Sequence, residues 1–223
     1  RSYHLLTLSA QTGEALRDLA ERYAAALPAH PDSELPNIAY TTHCGRSHFR
    51  HRLAVVAATV REAQAMLAAF VDGQLVPGLC LGEVDGGKAA PRVAFLFTGQ
   101  GSQYLGMGRE LYETQPLFRE RLDRCDAVLR ECLGRSLIEL FHPVKPPSHN
   151  DLIDSHPCGQ AANFAIECAL SDLFRSFGIS PAAVLGHSLG DFAAAYTAGV
   201  FSLEDGLRLV IERGRLMERA PGS

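Results

Sequence analysis

The stretch that most restricts what this chain can fold into is Ala182-Ala183-Val184-Leu185-Gly186-His187-Ser188-Leu189-Gly190. A short apolar run after Pro181 reads as a fully buried strand that breaks at Gly186. The periodicity that resumes after Gly190, with Phe192, Ala195, Ala198 and Val200, is helical. The pattern predicts strand, sharp turn and helix, with Ser188 at the apex. Such an elbow brings backbone and neighbouring side chains so close that a Cβ two residues before or after the serine clashes, which is why Gly186 and Gly190 flank it. The hydroxyl is pushed out of the turn. The peptide N–H of Leu189 points into the same space, where a tetrahedral intermediate places its oxyanion.

The rest of the chain is read around that elbow. At 223 residues and 47% hydrophobic content it can bury a sizeable core in one or two domains. A net charge of −4 without long runs gives no electrostatic reason to bind nucleic acid or an anionic membrane. Arg1-Ser2-Tyr3-His4-Leu5-Leu6 lacks the apolar core of a signal peptide, and no run approaches transmembrane length, so a soluble, cytoplasmic protein is expected. None of the six cysteines forms a C-x-x-C pair, and Cys125 and Cys168 fall on apolar helical stripes as small core residues. The nine histidines show no metal-ligand spacing. No metal or cofactor is expected.

Residues 1 to about 90 read as a smaller α/β unit. Strands are expected at Tyr3 to Leu8, Ile38 to Thr42 and His51 to Ala57. Helices are expected after a cap at Ser9 or Thr12, carrying Leu16, Leu19, Tyr23 and Leu27, and after Thr59, carrying Ala63, Met66, Leu67 and Phe70. Glycines 73, 78, 82, 86 and 87 suggest a loose connection. His43 to Arg52 holds three arginines and three histidines. It reads as a strand pair with a solvated polar face, or else as a cationic dock for an acidic protein or coenzyme phosphates.

The second unit opens with a buried strand, Arg92 to Phe97, followed by Thr98-Gly99-Gln100-Gly101-Ser102-Gln103, whose glycines let backbone N–H groups approach a ligand. A helix from Pro116 carries Leu117, Leu122, Cys125, Val128, Leu129 and Cys132 and stops at Gly134. Residues 142 to 157 read as an irregular surface crossing. From Gln160 through Phe174 a helix apolar nearly all round should lie deep. Ser202-Leu203-Glu204-Asp205 resembles a capping box for a helix buried through Leu203, Leu207, Val210, Ile211 and Leu216, and its Gly214, costing about 1 kcal/mol in a helix interior, hints at close packing or a functional role beside Arg213. Strand, helices, parallel strand and further helices make an α/β layered sheet.

Three of these motifs in this order, Phe97-Thr98-Gly99-Gln100-Gly101-Ser102-Gln103, Gly186-His187-Ser188-Leu189-Gly190 and Arg213-Gly214-Arg215-Leu216-Met217, resemble the acyltransferase domain of polyketide synthases and the related malonyl-CoA:carrier-protein transacylases. The resemblance implies that 91–223 is the N-terminal part of an acyltransferase large subdomain, an α/β-hydrolase-like layered parallel sheet that is incomplete in these residues. It makes 1–90 the small α/β linker that follows a ketosynthase domain. It implies that Ser188 carries the acyl group, that the N–H groups of Gln100 and Leu189 form the anion hole, and that Arg213 pairs with the free carboxylate of malonyl. Gln160 matches a glutamine beside the acyl pocket, His187 packs around the elbow, and an aliphatic Leu189 leans the extender towards malonyl. Partners implied are malonyl-CoA or a related acyl-CoA, an acyl carrier protein and an adjacent ketosynthase. Asp191 stands where glutamate is usual, and Ala161 where proline is common. The family's catalytic histidine lies well downstream of the Arg-Gly motif, so residues 1–223 alone are expected to show little activity. A serine hydrolase or thioesterase, and a scaffold with an idle elbow, remain as alternatives.

Overall fold

The computed structural model describes residues 3–84, 91–142 and 155–220. The chain divides into two compact units, Arg1–Ala90 and Pro91–Ser223. In the first, strands β1 (His4–Ala10), β2 (His51–Ala57) and β3 (Leu79–Glu83) form an antiparallel sheet in that order. Alternation in β1 and β2 turns Leu6, Leu8, Leu53 and Val55 inward. Helices α1 (Gly13–Ala26) and α3 (Val60–Val71) begin where the Oγ1 atoms of Thr12 and Thr59 accept from the N–H groups of Ala15 and Glu62.

Three expectations for this unit need correction. Ile38 to Thr42 is not a strand but lies in helix α2 (Leu35–Cys44). Its β-branched residues suggest a strand, yet the buried positions Leu35, Ala39 and Thr42 are helically spaced, and Pro36 sits in the first turn, where its missing N–H is harmless.

 Leu35, Ala39 and Thr42 thus form one inward face, and the hydroxyls of Thr41 and Thr42 donate back to the carbonyls of Asn37 and Ala39, both at 2.8 Å. The glycine-rich connection contains a third strand, β3, with Gly82 inside it, while Gly86 and Gly87 lie outside the described residues. His43 to Arg52 is not a strand pair: His43 and Cys44 close α2, 45–50 is irregular, and His51 and Arg52 open β2. Its polar side chains stay on an exposed surface and bond locally. Arg50 pairs with Glu83 at 2.6 Å, His48 bonds the His43 carbonyl at 2.8 Å and Arg52 donates to the Phe49 carbonyl at 3.0 Å.

In the second unit, β4 (Ala94–Phe97) and β5 (Ala183–Gly186) pair in parallel, with Phe97 opposite Gly186. The helices are α4 (Arg109–Thr114), α5 (Pro116–Leu133), α6 (Leu137–Phe141), α7 (His156–Ser176), α8 (Gly190–Thr197) and α9 (Leu203–Arg219). α5 ends at Gly134 in the left-handed region (φ 63°), as its sequence predicts. α7 is buried on nearly every side and lies against α5, α8 and α9. It starts at His156, four residues before Gln160, with Pro157 in its first turn; 143–154 of the expected surface crossing lie outside the described residues.

Here too the burial differs from expectation. β4 and β5 are not buried on both faces: Leu96 and Leu185, opposite each other in register, are 73% and 66% exposed. Strand alternation turns Phe95, Phe97 and Val184 to the helical core instead. On α8 the buried face is Gly190, Ala193, Ala194 and Thr197, one position away from the expected Phe192 and Ala195, and its small side chains permit the close approach to α7. On α9 the buried stripe runs Leu203, Leu207, Val210, Ile211 and Gly214, and its helical continuation is Met217, so Leu216 falls outside it and is 60% exposed.

Candidate acyl-transfer site

The elbow is built as its glycines require. Ser188 takes φ 52°, the one non-glycine residue in the left-handed region among the described residues. That conformation costs an L-residue about 1–2 kcal/mol, so the surrounding packing must impose it. A Cβ on Gly186 would coincide with the backbone of Gly190 and Asp191, and one on Gly190 would strike the carbonyl oxygens of Phe97 and Thr98. The turn is closed by the Gly190 N–H donating to the His187 carbonyl at 3.0 Å, and it is tied to β4 by the His187 N–H donating to the Phe97 carbonyl at 3.1 Å. Ser188 is left exposed at the apex, while Leu189 behind it is fully buried.

The geometry brings four of the six sequence-derived site residues into one hydrogen-bonded chain. Arg213 Nη2 donates to Ser188 Oγ at 3.2 Å, and Arg213 Nη1 donates to Gln160 Oε1 at 2.7 Å. A guanidinium only donates, so the Gln160 amide must turn its oxygen to Arg213 and its nitrogen away. That nitrogen donates to Gln100 Oε1 at 3.1 Å and also contacts Met217 Sδ at 3.2 Å. Gln100 Oε1 accepts a second bond at 3.2 Å from His156, which fixes Nδ1 as the protonated ring nitrogen in that bond. Leu189 and His187 stand apart from this chain. The His187 ring packs against the Gly99 backbone, where a Cβ would meet Nδ1 at 2.9 Å, and it forms no hydrogen bond with Ser188. Arg213 is the one partner of Ser188 Oγ among the described residues.

Arg213 differs from its neighbours electrostatically. Arg121, Arg124, Arg130, Arg208 and Arg215 each pair with a carboxylate, respectively Asp172, Glu204, Asp126, Glu131 and Glu212. Among the described residues Arg213 has only neutral partners, Gln160 and Ser188. Its charge therefore stays available to an anion arriving at the serine. The close packing that Gly214 hinted at is present: a Cβ there would sit 2.5 Å from Pro157 Cα, so α9 presses against the first turn of α7.

Several site residues escaped the sequence reading. Asn163 and Glu167 share a face of α7 with Gln160 and reach the 98–103 loop. Asn163 Nδ2 donates to the Gly99 carbonyl at 3.1 Å and its Oδ1 accepts from Ser102 at 3.2 Å. Glu167 Oε1 accepts from the Thr98 N–H at 2.7 Å and from its hydroxyl at 2.8 Å. Burial raises the Glu167 pKa, against the lowering effect of those two bonds. The signal was present as polar residues at i, i+3 and i+7 on a helix otherwise read as apolar all round. Among the described residues no acceptor takes the peptide N–H of Gln100 or of Leu189.

A serine held at positive φ between a parallel strand and a helix, with an unpaired cation beside it, defines an α/β protein suited to nucleophilic acyl chemistry. Comparison with known proteins narrows the class. The family model described as acyl transferase domain matches residues 94–223, and a second, CurL-like, PKS C-terminal, matches residues 4–67. The chain belongs to the acyl transferase domain family of polyketide synthases. It is 41% identical over 218 residues to the spectinabilin polyketide synthase system protein NorB of Streptomyces orinoci, covering 98% of this chain and 10% of that protein. Against the orsellinic acid synthase armB of Armillaria mellea it is 38% identical over 220 residues, again 98% of this chain and 10% of the relative. The acyl transferase domain of ZmaA superposes with a TM-score of 0.89 at 34% identity, covering 99% of this chain and 50% of that one. The acyl transferase domain of SpnD, solved in complex with 2-(pent-4-yn-1-yl)malonyl, gives a TM-score of 0.75 at 36% identity, with 96% and 48% covered. The chain thus spans about half of these solved domains and a tenth of the curated synthases. No helix among the described residues is long and apolar enough to cross a membrane.

Proposed function

We infer that this chain takes part in loading a carboxylated extender unit, malonyl, onto an acyl carrier protein through an acyl-Ser188 intermediate. The observation that carries the reading is the unpaired Arg213 guanidinium 3.2 Å from Ser188 Oγ. An acyl group with a free carboxylate two carbons from the carbonyl, bound at that serine, finds a two-pronged donor within reach, and a plain acyl group does not. The malonyl-type ligand named for the SpnD structure supports the same substrate class. An aliphatic residue such as Leu189 at this position is what the family resemblance associates with malonyl rather than methylmalonyl.

In the first half-reaction a general base takes the Ser188 proton, Oγ bonds to the thioester carbonyl carbon, and the N–H groups of Gln100 and Leu189 receive the oxyanion. Collapse breaks the carbon–sulfur bond, and coenzyme A leaves as a thiol with the proton from the base. In the second, the phosphopantetheine thiol of the carrier protein attacks the ester, and Ser188 leaves with its proton restored. The base is not among the described groups bonded to Ser188, and the family resemblance assigns it to a histidine further along the polypeptide. Residues 1–223 without it are expected to acylate slowly. Residues 1–90 act as the linker to a ketosynthase, and 91–223 as the part of the acyltransferase that carries the nucleophile.

The test is intact-mass analysis of the full-length protein after brief mixing with malonyl-CoA or acetyl-CoA. A malonyl ester is expected on Ser188 and not in Ser188→Ala, with Arg213→Ala reducing the malonyl-over-acetyl preference by about 100-fold, the worth of a lost charge-assisted pair. Unchanged preference in Arg213→Ala sinks the assigned role.

A further inference from the structure

The 98–103 loop can hold its backbone in many directions, because Gly99 and Gly101 flank Gln100 and Gly101 takes φ 108°. Something outside the loop must select one. α7 supplies it through three polar side chains: Glu167 bonds Thr98, Asn163 bonds Gly99 and Ser102, and Gln160 bonds Gln100. Gln160 and Asn163 are 0% and 1% exposed, and polar groups that deep in a helical core are disfavoured unless hydrogen-bonded.

Asn163 has the most direct leverage. The Gly99 carbonyl it holds belongs to the same peptide unit as the Gln100 N–H. That unit is planar and trans, so its C=O and N–H point in opposite directions. Anchoring the oxygen on α7 aims the N–H away from α7. A carbonyl oxygen only accepts, so the Asn163 nitrogen must face Gly99, and its oxygen then meets the Ser102 hydroxyl, holding the loop at a second point.

We propose that Asn163 is a positioning residue for acyl transfer, its amide fixing the Gly99–Gln100 peptide plane so that the Gln100 N–H faces the oxyanion formed at Ser188. Glu167 anchors the start of the loop, at the Phe97–Thr98 peptide, through the Thr98 N–H and hydroxyl. The proposal rests on the acyl-transfer reading above.

The near-isosteric Asn163→Asp variant tests it in the full-length protein, with malonyl-CoA as probe and rapid-quench mass analysis of the Ser188 ester. As a carboxylate the aspartate turns an oxygen against the Gly99 carbonyl and repels it, whereas the protonated acid regains a donor. The acylation rate constant at saturating malonyl-CoA is expected to fall about 10- to 100-fold at pH 8, part of the loss seen when an anion-hole donor is removed outright, with the half-saturating concentration within about twofold. The variant-to-wild-type ratio should recover as pH falls, because burial raises the aspartate pKa. Asn163→Ala should be slow at every pH. A ratio independent of pH in Asn163→Asp, or a loss confined to the fraction of protein that reacts with its rate constant unchanged, overturns the proposal. Wild-type protein that forms a Ser188 ester alongside unaffected variants overturns this inference alone; wild type that forms no such ester overturns the acyl-transfer reading with it.

Discussion

Replacing Gly214 by alanine sets two effects of opposite sign against each other. Glycine inside a helix is worse than alanine by about 1 kcal/mol, so an isolated α9 would gain that much from Gly214→Ala. In the folded unit the new Cβ would lie 2.5 Å from Pro157 Cα, 2.7 Å from Pro157 N and 2.9 Å from the His156 carbonyl carbon. Comfortable carbon–carbon contacts are about 3.5–4.0 Å, so the helices must separate by roughly 1 Å. The obstacle is backbone in the first turn of α7 and cannot rotate aside like a flexible side chain. Overpacking of this kind costs about 1–3 kcal/mol, and this overlap belongs near the upper end. The net expectation is a loss of about 1–2 kcal/mol in the urea unfolding of the second unit, read from its midpoint at unchanged slope. The same separation lengthens the 2.7 Å bond between Arg213 and Gln160, so malonyl selectivity should weaken too. A higher midpoint, matching the helix-propensity gain, would refute the claim that close approach dictates this glycine.

Two further outcomes are expected. Ser188→Gly should abolish the acyl-enzyme yet raise stability by about 1 kcal/mol in the same unfolding assay, because glycine relieves the positive-φ penalty; Ser188→Ala, which keeps that penalty, should give no such gain. Glu167 has a folded-state pKa raised chiefly by burial, so the native state binds its proton more tightly than the unfolded chain does. Its contribution is therefore most favourable below the unfolded pKa, near 4.3, and declines as pH rises through the folded value. Glu167→Gln should remove that decline, so unfolding titrations from about pH 4 to 7 should show the variant gaining on wild type as pH rises; parallel curves would contradict it.

Local signals in the sequence carried much of this protein. Thr12, Thr59 and Ser202 mark helix starts, Gly134 marks a helix end, and the spacing of Gly186, Ser188 and Gly190 marks the elbow, because each acts through atoms only a few residues away. The reading failed where burial on a particular face decides. Ile38, Thr41 and Thr42 favour a strand by their branching, but the apolar face formed by Leu35 and Ala39 packs as a helix. Leu96 and Leu185 look like core in an apolar run, yet strand alternation puts them on the sheet face that the described residues, about half the length of the solved domains, leave uncovered.

The sequence by itself determined that a serine would be thrust from a strand–helix turn, because steric exclusion at two glycines is a local property of the backbone. Only the tertiary structure decided that Arg213 would reach that serine, and that Gln160, Asn163 and Glu167 would hold the loop around Gln100. Those residues are far apart along the chain: Arg213 meets Gln160 through the packing of α9 on α7 at Gly214, where the absence of a Cβ sets the approach, and the loop meets α7 where β4 ends beside it.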